Sequence, residues 1–125
     1  MLFDVTQLAL ERAIEGAGKR HEALAANLAN ANTPGYQRVE VDFHSALASA
    51  IGRGDDATSA TNALERMAFR PGKDTSAGVT RADGSTVDLD SESAMLAVNA
   101  LEQQAAVQVA HTRINILKAA MGVGG

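Results

Sequence analysis

Apolar or small residues, with His21 among them, recur at Leu10, Ile14, Ala17, His21, Leu24, Leu28 and Ala31. The 4-3-4-3-4-3 spacing draws one seam along a long amphipathic helix. Asp4, with Gln7 three positions on, supplies an N-terminal cap, and Phe3 and Leu8 occupy the two staple positions around it. The helix is predicted over residues 4–32 and stops near Thr33, because Pro34 disfavours α geometry in the residue before it. Gly16 and Gly18 each cost about 1 kcal/mol relative to alanine, so this helix depends on packing. A second seam runs through Leu96, Ala100, Gln103, Val107, Ala110, Ile114, Leu117 and Met121. It predicts a helix over residues 90–121. Asp88, Asp90 and Glu92 crowd its start, Lys118 lies in its last turn and Gly122 ends it. The two helices span about 43 and 48 Å at 1.5 Å per residue. Matched lengths suggest that they pack together, Leu10, Ile14, Leu24 and Leu28 facing Leu96, Val107, Ile114 and Leu117, within one chain or between chains.

The segment between them has a different character. Thr33-Pro34-Gly35-Tyr36 reads as a type II turn, proline presetting φ and glycine supplying φ > 0. Val39, Val41 and Phe43 alternate with Arg38, Glu40 and Asp42, a short two-faced strand, and residues 45–51 suit two helical turns. Beyond that the chain turns to Gly, Asp, Thr, Ser and Ala. Only Leu64, Met67, Phe69 and Val79 offer much apolar area there, so residues 52–86 are expected to be flexible or weakly ordered, with a turn at Ala82-Asp83-Gly84. The expected architecture is mainly α. Residues 1–33 form the N-terminal helix, 34–51 a turn, short strand and short helix, 52–86 the flexible middle and 87–125 the C-terminal helix. The terminal helices pack as an antiparallel coiled-coil-like pair and form one domain.

A length of 125 residues fits a single domain. Twenty-five alanines against four aromatics point to helices packed at close range. Eleven basic and fifteen acidic side chains give a net charge of −4. No basic cluster stands out, so nucleic acid is not an expected partner. The absence of cysteine excludes disulfides, Cys-ligated zinc and thiol chemistry. Residues 94–110 form the most apolar run, but Asn99, Glu102, Gln103 and Gln104 interrupt it, so no membrane span is expected. Asp4 and Glu11 stand where a cleaved secretory signal needs a basic start and an apolar run. His21, His44 and His111 are far apart, and His21 reads as a packed side chain on the seam. Asp88 and Asp90 read as helix-start carboxylates, and Gly52 and Gly54 lack the context of a phosphate loop. These residues predict no enzyme, no cofactor, no metal and no small-molecule ligand.

The informative stretch is the end of the first helix. Asn27, Asn30 and Asn32 follow one another at i, i+3, i+5 although asparagine is a poor helix former, and Thr33-Pro34-Gly35-Tyr36 follows at once. Near a helix end such side chains bond freed carbonyls or a neighbouring backbone. The run from Leu24 through Asn27, Asn30, Asn32, Thr33, Pro34 and Gly35 to Tyr36 resembles the N-terminal signature of the axial proteins of the bacterial flagellum, the rod, hook and hook-associated proteins. A very short chain resembles the rod members, as do the runs 39–47 and 87–101. The likeness covers roughly residues 1–50 and 86–121. Gln37 replaces the basic residue common after the tyrosine, Ser93 a common methionine, and Gln103 a common aromatic. Gln103 is expected to weaken the helix seam or to face another subunit.

The resemblance implies a structural subunit of the proximal rod that polymerises through its terminal helices. Asn27, Asn30, Asn32, Thr33, Pro34, Gly35 and Tyr36 are its assembly motif. Implied partners are other rod subunits, further copies of the chain, and the inner-membrane-ring and export-gate side of the basal body. The implied location is the rod in the periplasmic space, reached by flagellar type III export without a cleaved signal. The neighbouring rod protein of the same family is the alternative within the family. A soluble coiled-coil export adaptor is the alternative outside it, and that reading has no use for the Asn-rich helix end and its turn.

Overall fold

The computed structural model describes residues 4–52, 56–76, 78 and 80–122. The Asp4 carboxylate accepts the Gln7 N–H at 2.8 Å and starts α1 (Val5–Ala29). Phe3, the expected staple residue, lies outside the described residues. α1 ends three residues before the predicted stop. Asn30 caps it, its backbone N–H and its side-chain amide both donating to the Ala26 carbonyl, at 3.0 and 2.9 Å. The following turn has Gly35 at φ 73° and a Tyr36 N–H bond to the Thr33 carbonyl at 3.1 Å, which is the type II geometry the Pro-Gly pair predicts.

β1 (Val39–Glu40) is shorter than the alternation suggests. It pairs antiparallel with β2 (Gly72–Lys73), Val39 opposite Lys73 and Glu40 opposite Gly72. α2 (Phe43–Gly52) begins two residues earlier than expected. The expected weakly ordered middle carries a further helix, α3 (Ala57–Arg66), capped by Asp56 at the Ser59 N–H. Ala60 and Leu64, one turn apart, are buried, as is Phe69, so a few anchors are enough to order a segment whose average composition is polar. α4 (Leu89–Ala120) starts from Asp88, whose carboxylate accepts the Asp90 and Ser91 N–H groups, and Gly122 at φ 69° follows its end.

α1 is the middle layer. α4 packs along it, and α2, α3 and β1 pack against a second face, where His44 of α2 still reaches Glu102 of α4 at 2.9 Å. On this second face Ala17, Ala23, Val41, Phe43 and Phe69 form the core, with Val39, Ala46 and Met67 against them. Gly16 permits this contact. A Cβ there would stand 2.6 Å from Phe43 Cβ, so only glycine lets the ring seat on the helix.

The α1–α4 contact differs from the predicted seam. Val107 is 48% exposed and Ile114 40% exposed, and His21 is exposed as well. Leu24 is fully buried, whereas Leu10, Ile14, Leu28, Leu96 and Leu117 are half-buried. Of the predicted α4 seam, Gln103 and Ala110 do turn toward α1, and Asn99, which lies off the seam, joins them. Asn99 Nδ2 donates to the Ala17 carbonyl at 2.8 Å, and Gln103 Nε2 reaches the Ile14 carbonyl at 3.4 Å. The physical cause is the Gly16-Ala17-Gly18 stretch, which strips α1 of bulk and lets side-chain amides approach its backbone; Gln103 Nε2 passes 3.4 Å from where a Gly18 Cβ would stand. Gln103 therefore faces its own α1. At the far end Arg113 holds both Asp4 carboxylate oxygens at 2.9 Å. Among the described residues no helix is long and apolar enough to cross a membrane.

Candidate assembly site

Asn27 lies two residues before the end of α1 and has no exposed surface. Its Nδ2 donates to the Val39 carbonyl at 2.8 Å and to Glu92 Oε2 at 3.2 Å. Its Oδ1 accepts the Val39 N–H at 2.9 Å and the Tyr36 hydroxyl at 3.3 Å. One amide thus pairs with both backbone groups of Val39, as a neighbouring strand would, and covers the edge of β1 turned away from β2. Every hydrogen-bonding position of the amide is used, which removes the cost of burying it.

The other motif residues divide into inward and outward sets. Asn30 caps α1 and accepts the Thr33 hydroxyl at 3.3 Å. Tyr36 is half-buried against Asn27, whereas Asn32, Thr33, Pro34 and Gly35 are exposed at the tip of the turn. That turn docks on a second one. Gly35 N–H bonds the Asp83 carbonyl at 2.8 Å, Thr86 N–H bonds Tyr36 O at 3.1 Å, and Arg81 reaches the Ala31 carbonyl at 2.8 Å. The predicted turn at residues 82–84 is present, with Gly84 at φ 82° lying against Gly35; a Cβ on Gly84 would sit 3.3 Å from Gly35 Cα.

Beneath the motif runs a chain of charges that sequence reasoning did not find. Arg38 is buried and donates to Glu92 Oε1 at 2.5 Å, to Asp74 Oδ2 and to Glu40 Oε2 at 3.1 Å. Arg20 of α1 grips both oxygens of Glu40, at 2.8 and 3.3 Å. Glu92 is 1% exposed and bonds Asn27 as well. α1, β1, the strand-following Asp74 and α4 are thereby tied at one point. Local sequence marks none of this: Arg38 and Glu40 read as the wet face of a strand, and Glu92 as a dipole-favoured helix start. Burial alone would push the Arg38 guanidinium below its ordinary pKa, but hydrogen bonds to Glu92, Asp74 and Glu40 outweigh it and hold the pKa higher. Burial would raise the Glu40 carboxyl, yet Arg20 and the Val41 N–H pull it below the ordinary range. The Ser76 hydroxyl, then Arg38, lower Asp74 in spite of its partial burial.

An open cleft of about 760 Å³ lies over this network, lined among others by Arg38, Glu40, His44, Phe69 and Asp74. Its buried charges are spent on one another, so its chemistry is that of a lock between segments.

A family model described as "Flagella basal body rod protein" matches residues 11–37, the stretch that ends in the turn. The chain is 38% identical over 107 residues to the flagellar basal body rod protein FlgB of Escherichia coli K12, covering 75% of this chain and 76% of that protein. It is 34% identical over 125 residues to FlgB of Proteus mirabilis HI4320, covering 91% of each. FlgB of Salmonella typhimurium LT2 is 34% identical over 119 residues, covering 79% and 80%.

Proposed function

The chain belongs to the FlgB family of flagellar basal body rod proteins and is a structural subunit of that rod, and we propose that it polymerises through α1 and α4 against the helices of neighbouring subunits. The observation that carries this reading is the surface of α4. Eight large apolar side chains on α4 and its cap stand exposed, while α1 covers only one side of the helix. Exposed apolar side chains in such number on one helix mark a surface built to be covered.

On this reading the buried part of the motif and the exposed part do different work. Asn27, Asn30 and Tyr36 fix the turn, and Asn32, Thr33, Pro34 and Gly35 are offered to a neighbour. Of the predicted seam, Leu10, Ile14, Leu24, Leu28, Leu96 and Leu117 support the helix pair, and Val107 and Ile114 await a neighbouring helix. The partners are further copies, the other rod subunits, and the inner-membrane-ring and export-gate side below. The subunit stands in the proximal rod within the periplasmic space, after type III export, and carries torque without catalysing a reaction. Membership of a structural family supports the non-enzymatic role.

Mass spectrometry of detergent-extracted basal bodies tests the reading. Several copies of the chain beside ring and rod proteins are expected. Absence from intact basal bodies, with the chain in the cytoplasm, would transfer it to an export adaptor.

A further inference from the structure

The loop on which the Pro-Gly turn docks carries a residue pair whose chemistry the rod reading does not use. Asp83-Gly84 is the one Asp-Gly pair of the chain, which has no Asn-Gly pair. Glycine leaves its backbone nitrogen unshielded, so that nitrogen can attack the side-chain carboxyl of an aspartate before it. Asp83 is exposed, and its Oδ1 accepts the Ser85 N–H at 3.0 Å, which curls the carboxyl along the chain past Gly84. The docked turn pins the pair. Gly84 N–H donates to the Arg81 carbonyl at 2.9 Å, and the Asp83 carbonyl accepts Gly35 N–H at 2.8 Å. Arg81 stands 3.5 Å from Asp83 Oδ2 and also donates to the Ala31 carbonyl at 2.8 Å.

We propose that Asp83-Gly84 is a self-modification site, converting to isoaspartate once the turn at residues 33–36 has left it, and that the conversion keeps the turn from docking again. In the first step the Gly84 nitrogen bonds to Asp83 Cγ and gives up its proton. The protonated carboxyl gives up its hydroxyl, so one water leaves and a succinimide ring remains. Water then adds at either ring carbonyl. Breaking the Cγ–N bond restores aspartate. Breaking the bond from nitrogen to the main-chain carbon routes the backbone through Cβ and Cγ and frees an α-carboxylate. Water is lost once and gained once, and no other reactant is needed. Ring closure requires Gly84 N–H to leave Arg81 and the carboxyl to leave Ser85, so the docked loop restrains it. A local opening is enough to release both. After conversion the loop is longer by a methylene and holds a carboxylate where Gly35 N–H met a neutral carbonyl. It no longer closes through the 2.8 Å bond from Arg81 N–H to Ser85 O. Nor is there room for it where Gly84 meets Gly35, since a Cβ on Gly84 would already stand 3.3 Å from Gly35 Cα. The exposed residues Asn32 to Gly35 then lose their support. The site links the age of a free chain to the state of its turn, whichever partner that turn meets.

The test ages the full chain at neutral pH, in native buffer and in urea. Isoaspartate is counted with a protein isoaspartyl methyltransferase and labelled S-adenosylmethionine. Label is expected in the peptide carrying Asp83, several-fold faster in urea, and Asp83→Glu is expected to remove it. Arg81→Met loosens the docked turn, with circular dichroism checking that the helices stay, and is expected to speed labelling in native buffer several-fold. Aged, converted chain is expected to have a lower Tm and faster exchange of the Gly35 amide than fresh chain. Absence of label at Asp83 even in urea would overturn the site. Equal rates in native buffer, in urea and in Arg81→Met would overturn the restraint by the docked turn. Converted chain with unchanged Tm and unchanged Gly35 exchange would overturn the loss of docking.

Discussion

Arg38 and Gly16 hold together what their neighbours in sequence would leave apart. Arg38→Met leaves the almost fully buried Glu92 carboxyl without its guanidinium partner. Breaking such a pair from one side costs about 3–5 kcal/mol, a loss expected in urea unfolding at pH 7. Arg38→Met combined with Glu92→Leu removes both charges and is expected to recover most of that loss. A double variant no more stable than Arg38→Met would mean that the pair is not the source of the effect. Gly16 and Gly18 give opposite outcomes for the same substitution. Gly16→Ala gains about 1 kcal/mol of helix propensity but drives a methyl into Phe43. Overpacking of that kind costs about 1–3 kcal/mol, so net destabilisation is expected. At Gly18 the added methyl meets only the flexible Gln103 amide, at 3.4 Å, and Gly18→Ala is expected to raise Tm or leave it unchanged. The glycines are visible in the sequence as weak points of a helix. That one of them is a socket for a ring 27 positions later is a tertiary fact.

Among the elements, the turn after α1 joins two of the layers. A Cβ added at Gly35 would point into open space, so only its backbone conformation resists substitution. Gly35→Val forces a β-branched residue to φ 73° and is expected to cost about 1–2 kcal/mol and to impair motility. Gly35→Asn, which tolerates left-handed geometry, is expected to retain most of both. Equal behaviour of the two variants would argue against a type II turn in the working state. The turn and both long helices were legible because their signals are local: a proline, a glycine, caps and a seven-residue rhythm. α3 was not, since its burial rests on two anchors, Ala60 and Leu64, inside a polar stretch. Nor was the face that α4 turns to α1. Periodicity finds the stripe, but here small residues on α1 draw in Asn99 and Gln103, and Val107, Ile114 and Met121 of the stripe are left outside.

At the scale of the molecule, the charge network makes folding sensitive to acid. Glu40 and Asp74 have folded pKa values below the ordinary carboxylate range, whereas in the unfolded chain they titrate near 4.3 and 3.9. A depressed folded pKa stabilises at every pH above the unfolded value, and that stabilisation fades as pH falls toward the folded one. Tm is therefore expected to lose nothing through these two groups between about pH 8 and pH 5, and to fall below about pH 4. Glu40→Gln with Asp74→Asn is expected to lower Tm at pH 7 and to flatten the acid limb. An acid limb of unchanged steepness would show that other carboxylates govern it. The same network ties α1, β1 and α4 together, so the layers are expected to separate as one cooperative step.

The sequence by itself determined the two long helices, the Pro-Gly turn between them and, through the Asn-rich helix end, the resemblance to flagellar axial proteins. These depend on residues within one or two turns of each other, where spacing and backbone preference decide. Only the tertiary structure decided which side of α4 meets α1, what Gly16 is for, and that Asn27, Arg38 and Glu92 meet under the turn. Arg38 and Glu92 are 54 positions apart, and neither residue type nor local period announces a partner at that distance. Burial gives those charges their meaning, and burial belongs to the whole fold.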